Sequence, residues 1–166
     1  MDIRLSQMED LPTLMALFEE ARRTIAALGI DQWQDGYPSE TVIREDIDKK
    51  RSYLVERDGA LLGAFVLVDQ EPDYDKIYEG HWQDADYLAI HRVAVSVASR
   101  GTGVADTIIQ YATDCAQNRG KTSLRIDTHR GNIPMRRMLE KQGFHHRGQI
   151  FLADGSPRVA YEKSLW

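Results

Sequence analysis

The chain has 166 residues, 42% of them apolar and 28% charged. This is the size of one domain (typically ~100–150 residues) with enough apolar content for a core, so intrinsic disorder is disfavoured. Lys and Arg number 21 against 26 Asp and Glu, a net charge of −5, which argues against a bulk nucleic-acid binder, a class that is normally basic. The lone cysteine, Cys115, excludes an intrachain disulfide and points to a reducing cytoplasm.

The elements follow in chain order. Ile3 and Leu5 alternate with polar residues as a short first strand. Leu11, Leu14, Met15, Phe18, Ile25 and Leu28 recur at helical spacing, with Pro12 in the first turn and Gly29 past the end. A polar, aromatic stretch over residues 31–38 holds Trp33 and Tyr37. Residues 39–50 predict a second helix with Ser39 as candidate N-cap. Two strands then flank Asp58-Gly59, a hairpin signal. The longest apolar run, Ala60–Val68, is broken by Gly63 and is far too short to span a bilayer. The first residues carry no signal-like apolar stretch.

Residues 69–86 form a long connection, well beyond the usual ~4–6 residues, which marks it as a candidate functional segment. It carries Tyr74, Tyr78, His81 and Trp82 among many acids. Residues 87–97 read as a central strand, near-continuously apolar. A helical stripe from Val104 through Ile108, Ala112 and Cys115 follows. A strand over residues 123–128, a helix from Ile133 to Gln142 and a final hairpin around Asp154-Gly155 complete a single α/β domain over residues 1–166. Charge is uneven along this order. Residues 1–90 hold nine basic and twenty acidic side chains, and residues 91–166 hold twelve and six. Such asymmetry suggests two unlike partners, unless solvated faces have merely segregated.

The most informative stretch runs Val93-Ala94-Val95-Ser96-Val97-Ala98-Ser99-Arg100-Gly101-Thr102-Gly103-Val104-Ala105. A strand enters a glycine-bearing turn that opens directly into a helix. The first turn of a helix has unpaired N–H groups and a positive dipole end, so it can cradle a phosphate. Small residues let the phosphate approach the backbone, and Arg100 adds charge. No Gly-Lys-Ser/Thr ends the turn, which excludes a Walker P-loop, and a three-glycine dinucleotide fingerprint is absent.

Residues 100–105 fit Arg/Gln-x-x-Gly-x-Gly/Ala, and in this respect the chain resembles the GNAT superfamily of N-acetyltransferases. Downstream, Asn132 followed by Gly143-Phe144 is similar to the second family signature, and the order of elements agrees over essentially the whole chain. The resemblance implies a mixed central sheet of six to seven strands flanked by about four helices, splayed between two central parallel strands. It implies acetyl-CoA as cosubstrate; no metal is expected, because the histidines and the cysteine lack metal-ligand spacing. The pyrophosphate positions are Arg100, Gly101, Thr102, Gly103, Val104 and Ala105, while Val93, Ala94 and Val95 meet the pantetheine arm and the thioester carbonyl through main chain. Asn132 matches the asparagine that contacts the CoA arm, and it is equally placed to cap the next helix.

Many family members place a catalytic tyrosine four residues before the Gly of Gly-Phe; here that position is Leu139. Tyr161 is a conceivable substitute acid. For the base, an acidic residue in one branch of the family that acetylates protein amino termini corresponds to Asp127. His129 and His91 are rivals, and pairing of Asp127 with Arg125 is the plain structural alternative. His91 and Arg92 alternate, so only one of them faces a given side. No Cys/His cluster has zinc spacing, and Cys115 reads as core. Aromatics with carboxylates suit a cationic amine, which makes Trp33, Tyr37, Tyr78 and Trp82 candidate acceptor contacts. The expected reaction is acetyl transfer to a small cationic amine or an amino terminus, with no nucleic-acid or membrane partner and a homodimer as the default assembly. The runner-up is a non-catalytic acyl-CoA sensor of the same fold.

Overall fold

A computed structural model describes all 166 residues. The elements are β1 (Asp2–Leu5), α1 (Leu11–Ala26), α2 (Glu40–Asp48), β2 (Ser52–Arg57), β3 (Ala60–Val68), β4 (Tyr87–Val95), α3 (Val104–Asn118), β5 (Ser123–Thr128), α4 (Ile133–Lys141), β6 (His145–Phe151) and β7 (Pro157–Ser164). The seven strands form a mixed sheet in the order β1-β2-β3-β4-β5-β7-β6. The chain divides into two compact units, Met1–Leu67 with Arg92–Ile108 and Val68–His91 with Ile109–Trp166.

In the first unit, β1, β2 and β3 form an antiparallel meander. Its tight turn is the Asp58-Gly59 pair, both residues at positive φ, the backbone that a two-residue hairpin needs. Ser39 caps α2 by accepting a hydrogen bond from the Val42 N–H. The apolar stripe of α1 (Leu11, Leu14, Leu17, Phe18) meets Ile43 and Ile47 of α2 and Ala64 of β3 in one core. The outermost strand, β1, is only four residues long and carries Arg4, which is bonded to Asp10 and Glu56.

In the second unit, β4 and β5 run parallel, paired over Tyr87–Ala89 and Ser123–Arg125. Both strands continue past this short ladder, so the expected divergence of the central pair is present here as unpaired strand ends. β5 then pairs antiparallel with β7, and β7 with β6. The core includes Tyr74, Tyr87, Ala89, Ile150 and Ala160. Asn132 caps α4 through its side chain, which accepts from the Met135 N–H at 3.3 Å. Residues 77–80 lie against β6: Tyr78 and Gln149 exchange both backbone hydrogen bonds, at 2.8 and 2.7 Å. A Cβ on Gly80 would fall 1.8 Å from the Arg147 carbonyl oxygen, so only glycine permits that approach.

Candidate active site

The glycine turn lies in the first unit and is built by several short bonds. Ser96 and Ser99 share a hydroxyl–hydroxyl bond at 2.6 Å. The Val97 N–H donates to Glu20 of α1 at 2.7 Å. Gly101 and Gly103 take φ of 75° and 91°, values that an L-residue adopts only with strain. A Cβ on Gly101 would meet nothing within 4 Å, and one on Gly103 only the Met1 methyl at 3.9 Å. Space above the backbone is therefore open where α3 begins at Val104 and its first N–H groups have no intrahelical acceptor. The open approach and the exposed Arg100 fit a pyrophosphate, and the candidate donors are the N–H groups of Gly101, Gly103, Val104 and Ala105, because those of Arg100 and Thr102 donate to the Val97 and Ser99 carbonyls.

The same unit positions Tyr37 and Trp33. Asp46, 2% exposed, accepts two bonds from Arg92 at 2.7 Å each and one from Arg51 at 2.8 Å. Arg92 also donates to the Tyr37 hydroxyl at 2.7 Å. Tyr37 meets Trp33 edge-on at 6.3 Å, and Trp33 meets Phe18 at 5.9 Å.

The second unit gathers five groups that could handle a proton. Tyr74 donates its hydroxyl hydrogen to Asp127 Oδ2 at 2.6 Å. The Tyr74 ring lies 5.8 Å from the His91 ring. His91 Nε2 lies 3.2 Å from Glu71 Oε2, without the alignment of a hydrogen bond. Asp73 shares a hydrogen bond with Glu71. Burial pushes the Asp127 carboxyl above the usual range; the nearby His91, the Tyr74 hydroxyl and Arg158 offset this in part. Burial, its bond to Glu71 and the charges of Glu71 and Asp127 push the Asp73 carboxyl up to about 6. Glu71 is held below its usual range: burial alone would raise it, but His91 and Asp73 outweigh that. The Tyr74 phenol is pushed well up by burial and by the Asp127 charge, so it stays protonated and acts as a donor.

Sequence reasoning places Asp127 and His91 here, and the structure brings these two together. His129 and Tyr161 are engaged elsewhere. His129 Nδ1 accepts from the Gly131 N–H at 2.9 Å in the turn before α4. Tyr161 is paired with Ile126, one residue off Asp127, and so lies on the other face of the sheet; its hydroxyl accepts from Arg136 at 2.9 Å. Arg125 does not pair with Asp127. It faces Glu162 across the β5–β7 ladder, with 3.7 Å between them. Leu139 is fully buried core in α4. Cys115 is half-buried, and burial pushes its thiol up. Tyr78 sits on the β6 edge against Phe151, ring centroids 5.3 Å apart. Trp82 donates its indole N–H to the Tyr74 carbonyl at 2.9 Å and so helps to hold Tyr74 in place.

Glu71, Asp73 and the role of Tyr74 escape a reading of the sequence. The one signal that could have marked them is Pro72, which opens a single helical turn over Pro72–Tyr74 inside an otherwise irregular connection and turns Tyr74 into the core.

The model of the acetyltransferase (GNAT) family matches residues 12–144. The chain belongs to the GNAT acetyltransferase family. A GNAT-family acetyltransferase structure from Streptococcus agalactiae is 38% identical, covers 98% of this chain and 94% of its own, and superposes with a TM-score of 0.88. Streptothricin acetyltransferase of Escherichia coli is 30% identical over 67% of this chain; the match spans 62% of that enzyme, less than two thirds of its length. The structure of a ribosomal-protein-alanine N-acetyltransferase from Brucella melitensis, 20% identical with 99% of each chain covered and a TM-score of 0.71, shares the fold. As a member of this family it has the α/β fold with a seven-stranded mixed sheet and four helices, and no helix in it is long and apolar enough to cross a membrane.

Proposed function

We propose that this GNAT chain acts as one catalytic domain, in the cytoplasm, and transfers an acetyl group from acetyl-CoA to a primary amine. The amine attacks directly, with both substrates bound, and the acceptor is a small cationic amine or an amino terminus. Bound acetyl-CoA supplies the acetyl group as an activated thioester. Main-chain N–H groups of Gly101, Gly103, Val104 and Ala105 hold the pyrophosphate, with Arg100 and Thr102 shaping the turn through their own bonds to Val97 and Ser99, while Asn132 and the main chain of Val93, Ala94 and Val95 take the family positions along the CoA arm. An N–H donor aimed at the thioester oxygen is the type of group whose loss costs ~2.7–4 kcal/mol in other enzymes.

The observation that carries the reading is the Asp127 carboxyl, half-buried, held by the Tyr74 hydroxyl and raised in proton affinity. A carboxylate shifted toward neutral pH is a more effective base than an ordinary one. It takes the proton from the acceptor ammonium; the neutral amine then attacks the thioester carbon, the C–S bond breaks, and the expelled CoA thiolate takes up, through solvent, the proton that the new amide nitrogen sheds. Glu71 and Asp73 add negative field that favours a cation. Trp33 and Tyr37 offer ring faces for cation–π contact. His91 is the rival base, with its ring nitrogen beside Glu71. Leu139, in the core where many relatives have a tyrosine, favours a second reading, an acyl-CoA sensor without turnover.

Release of CoA thiol over a panel of cationic, neutral and anionic amines separates these. The expected result is turnover with cationic amines, lowered ~10²–10⁴-fold in Asp127→Asn with acetyl-CoA affinity unchanged. Tight acetyl-CoA binding without release across the panel selects the sensor. Release confined to neutral or anionic acceptors overturns the cationic assignment, and unchanged kinetics in Asp127→Asn dismiss it as the base.

A further inference from the structure

The second unit contains a cavity of about 330 Å³ that Asp127 does not line. Its wall includes Arg125, whose guanidinium carbon lies 4.1 Å from the Trp82 ring centroid and 4.0 Å from that of Tyr87. The Arg125 side chain is 6% exposed. Its one close countercharge, Glu162, is 3.7 Å from Nε, too far for a hydrogen bond, and Nε has no other partner. The reason is that Glu162 is already occupied: it accepts from the backbone N–H groups of Gln83 and Asp84 and from Arg147 Nε. Arg125 is left with a single hydrogen bond, to the Asp84 carbonyl. A buried guanidinium normally satisfies most of its N–H donors. This one borders a cavity with donors to spare.

The complement of a guanidinium with unused donors is a carboxylate. Lys121 lines the same cavity and adds a second positive charge. The cavity is nevertheless not a simple anion site, because the exposed carboxylates of Asp75 and Asp86 also line it, while Asp69 is engaged with Arg119 at 3.2 Å. A ligand with both charges satisfies this lining: a carboxylate toward Arg125 and Lys121, and an ammonium toward Asp75 and Asp86. The volume is at the small end of ligand pockets (~300–1,000 Å³). We infer that this cavity is a binding site for a free α-amino acid, distinct from the site of proton transfer. Tyr74 also lines the cavity and its hydroxyl holds Asp127, so an occupant touches the residue that positions the carboxylate.

The inference does not rest on acetyl transfer, and its test uses neither acetyl-CoA nor turnover. The whole chain is titrated by calorimetry and by thermal shift with each of the common free L-amino acids at constant ionic strength, with the matching decarboxylated amines and acetate as controls. The expected result is saturable binding of at least one amino acid, with its amine and acetate at least about tenfold weaker, the scale of one charge-assisted hydrogen bond. Lys121→Ala should weaken that amino acid by about tenfold, and Arg125→Gln should abolish its binding. If Arg125→Gln fails to fold, Lys121→Ala and Asp86→Asn carry the decision, since each removes one end of the charge pairing. No saturable binding of any amino acid, binding of the amine or acetate as tight as that of the amino acid, or affinity unchanged in Lys121→Ala and Asp86→Asn would each overturn the assignment.

Discussion

Asp127 owes its proton affinity to opposed effects: burial raises it, while His91 and the Tyr74 hydroxyl hold it down. Tyr74→Phe keeps the ring in the core and removes only the bond at 2.6 Å. The acid limb of the pH–rate profile should therefore move to higher pH, because the carboxylate loses a donor that stabilises its charged form. An unmoved limb would mean that Asp127 is not the group being titrated. Asp73 gives a separate, thermodynamic prediction. Its carboxyl is pushed up to about 6 by burial and by its bond to Glu71, so between about pH 4 and pH 6 the folded chain holds a proton that the unfolded chain releases. Stability then falls as pH rises through that window. Asp73→Asn supplies a permanent N–H donor to Glu71 and should melt higher than the parent at pH 7, with the difference vanishing near pH 4. Asp127 could be singled out only through the family branch whose acidic residue it matches, and His91 only as a rival imidazole. Glu71 and Asp73 were not legible, because no periodicity governs an irregular segment, and two acids among many give no sign of which will be buried.

At the scale of elements, the glycine turn was the most legible part of the site. Its glycines are required by backbone φ, and a local backbone requirement leaves a mark in the sequence. Asn132 was legible for the same reason, and its capping bond to Met135 is present. Gly103→Glu should abolish acetyl-CoA binding in a direct titration, since it strains a backbone at φ 91° and puts a carboxylate into the open space proposed for the diphosphate; retained affinity would refute the site. The connection over residues 69–86 was legible only as too long to be idle. Its actual anchors are distant in sequence: the Glu71 N–H on the Tyr87 hydroxyl, and Gln83 and Asp84 on Glu162. Contacts of that kind depend on the tertiary fold, and no local propensity encodes them.

For the whole molecule, the acidic first half and basic second half of the chain do not become an acidic unit and a basic unit. The second unit joins residues 68–91 to residues 109–166 and so carries eleven Lys/Arg against twelve Asp/Glu. The polarity read along the chain is largely neutralised by folding, as in the Asp69–Arg119 pair. On the proposed reading, attraction of a cationic acceptor then rests on local groups such as Glu71, Asp73 and Asp127. Binding of acetyl-CoA by the native state alone should raise stability by about 2.7 kcal/mol at a hundredfold excess over Kd, roughly a 5–10 °C rise in Tm for a chain of this size; no shift would refute cofactor binding altogether.

The contact between residues 77–80 and β6 has a consequence for solubility. The last strand of a sheet offers unpaired backbone groups to any other chain and is a common start of aggregation. Here that adhesive border is sealed by the Tyr78–Gln149 bonds and by the close seat of Gly80. The seal is cut from the same connection that supplies Glu71, Asp73 and Tyr74. Any change that loosened this connection would also unseal the border. A substitution in this connection that reshaped the surroundings of Tyr74 could therefore also expose a strand edge to self-association.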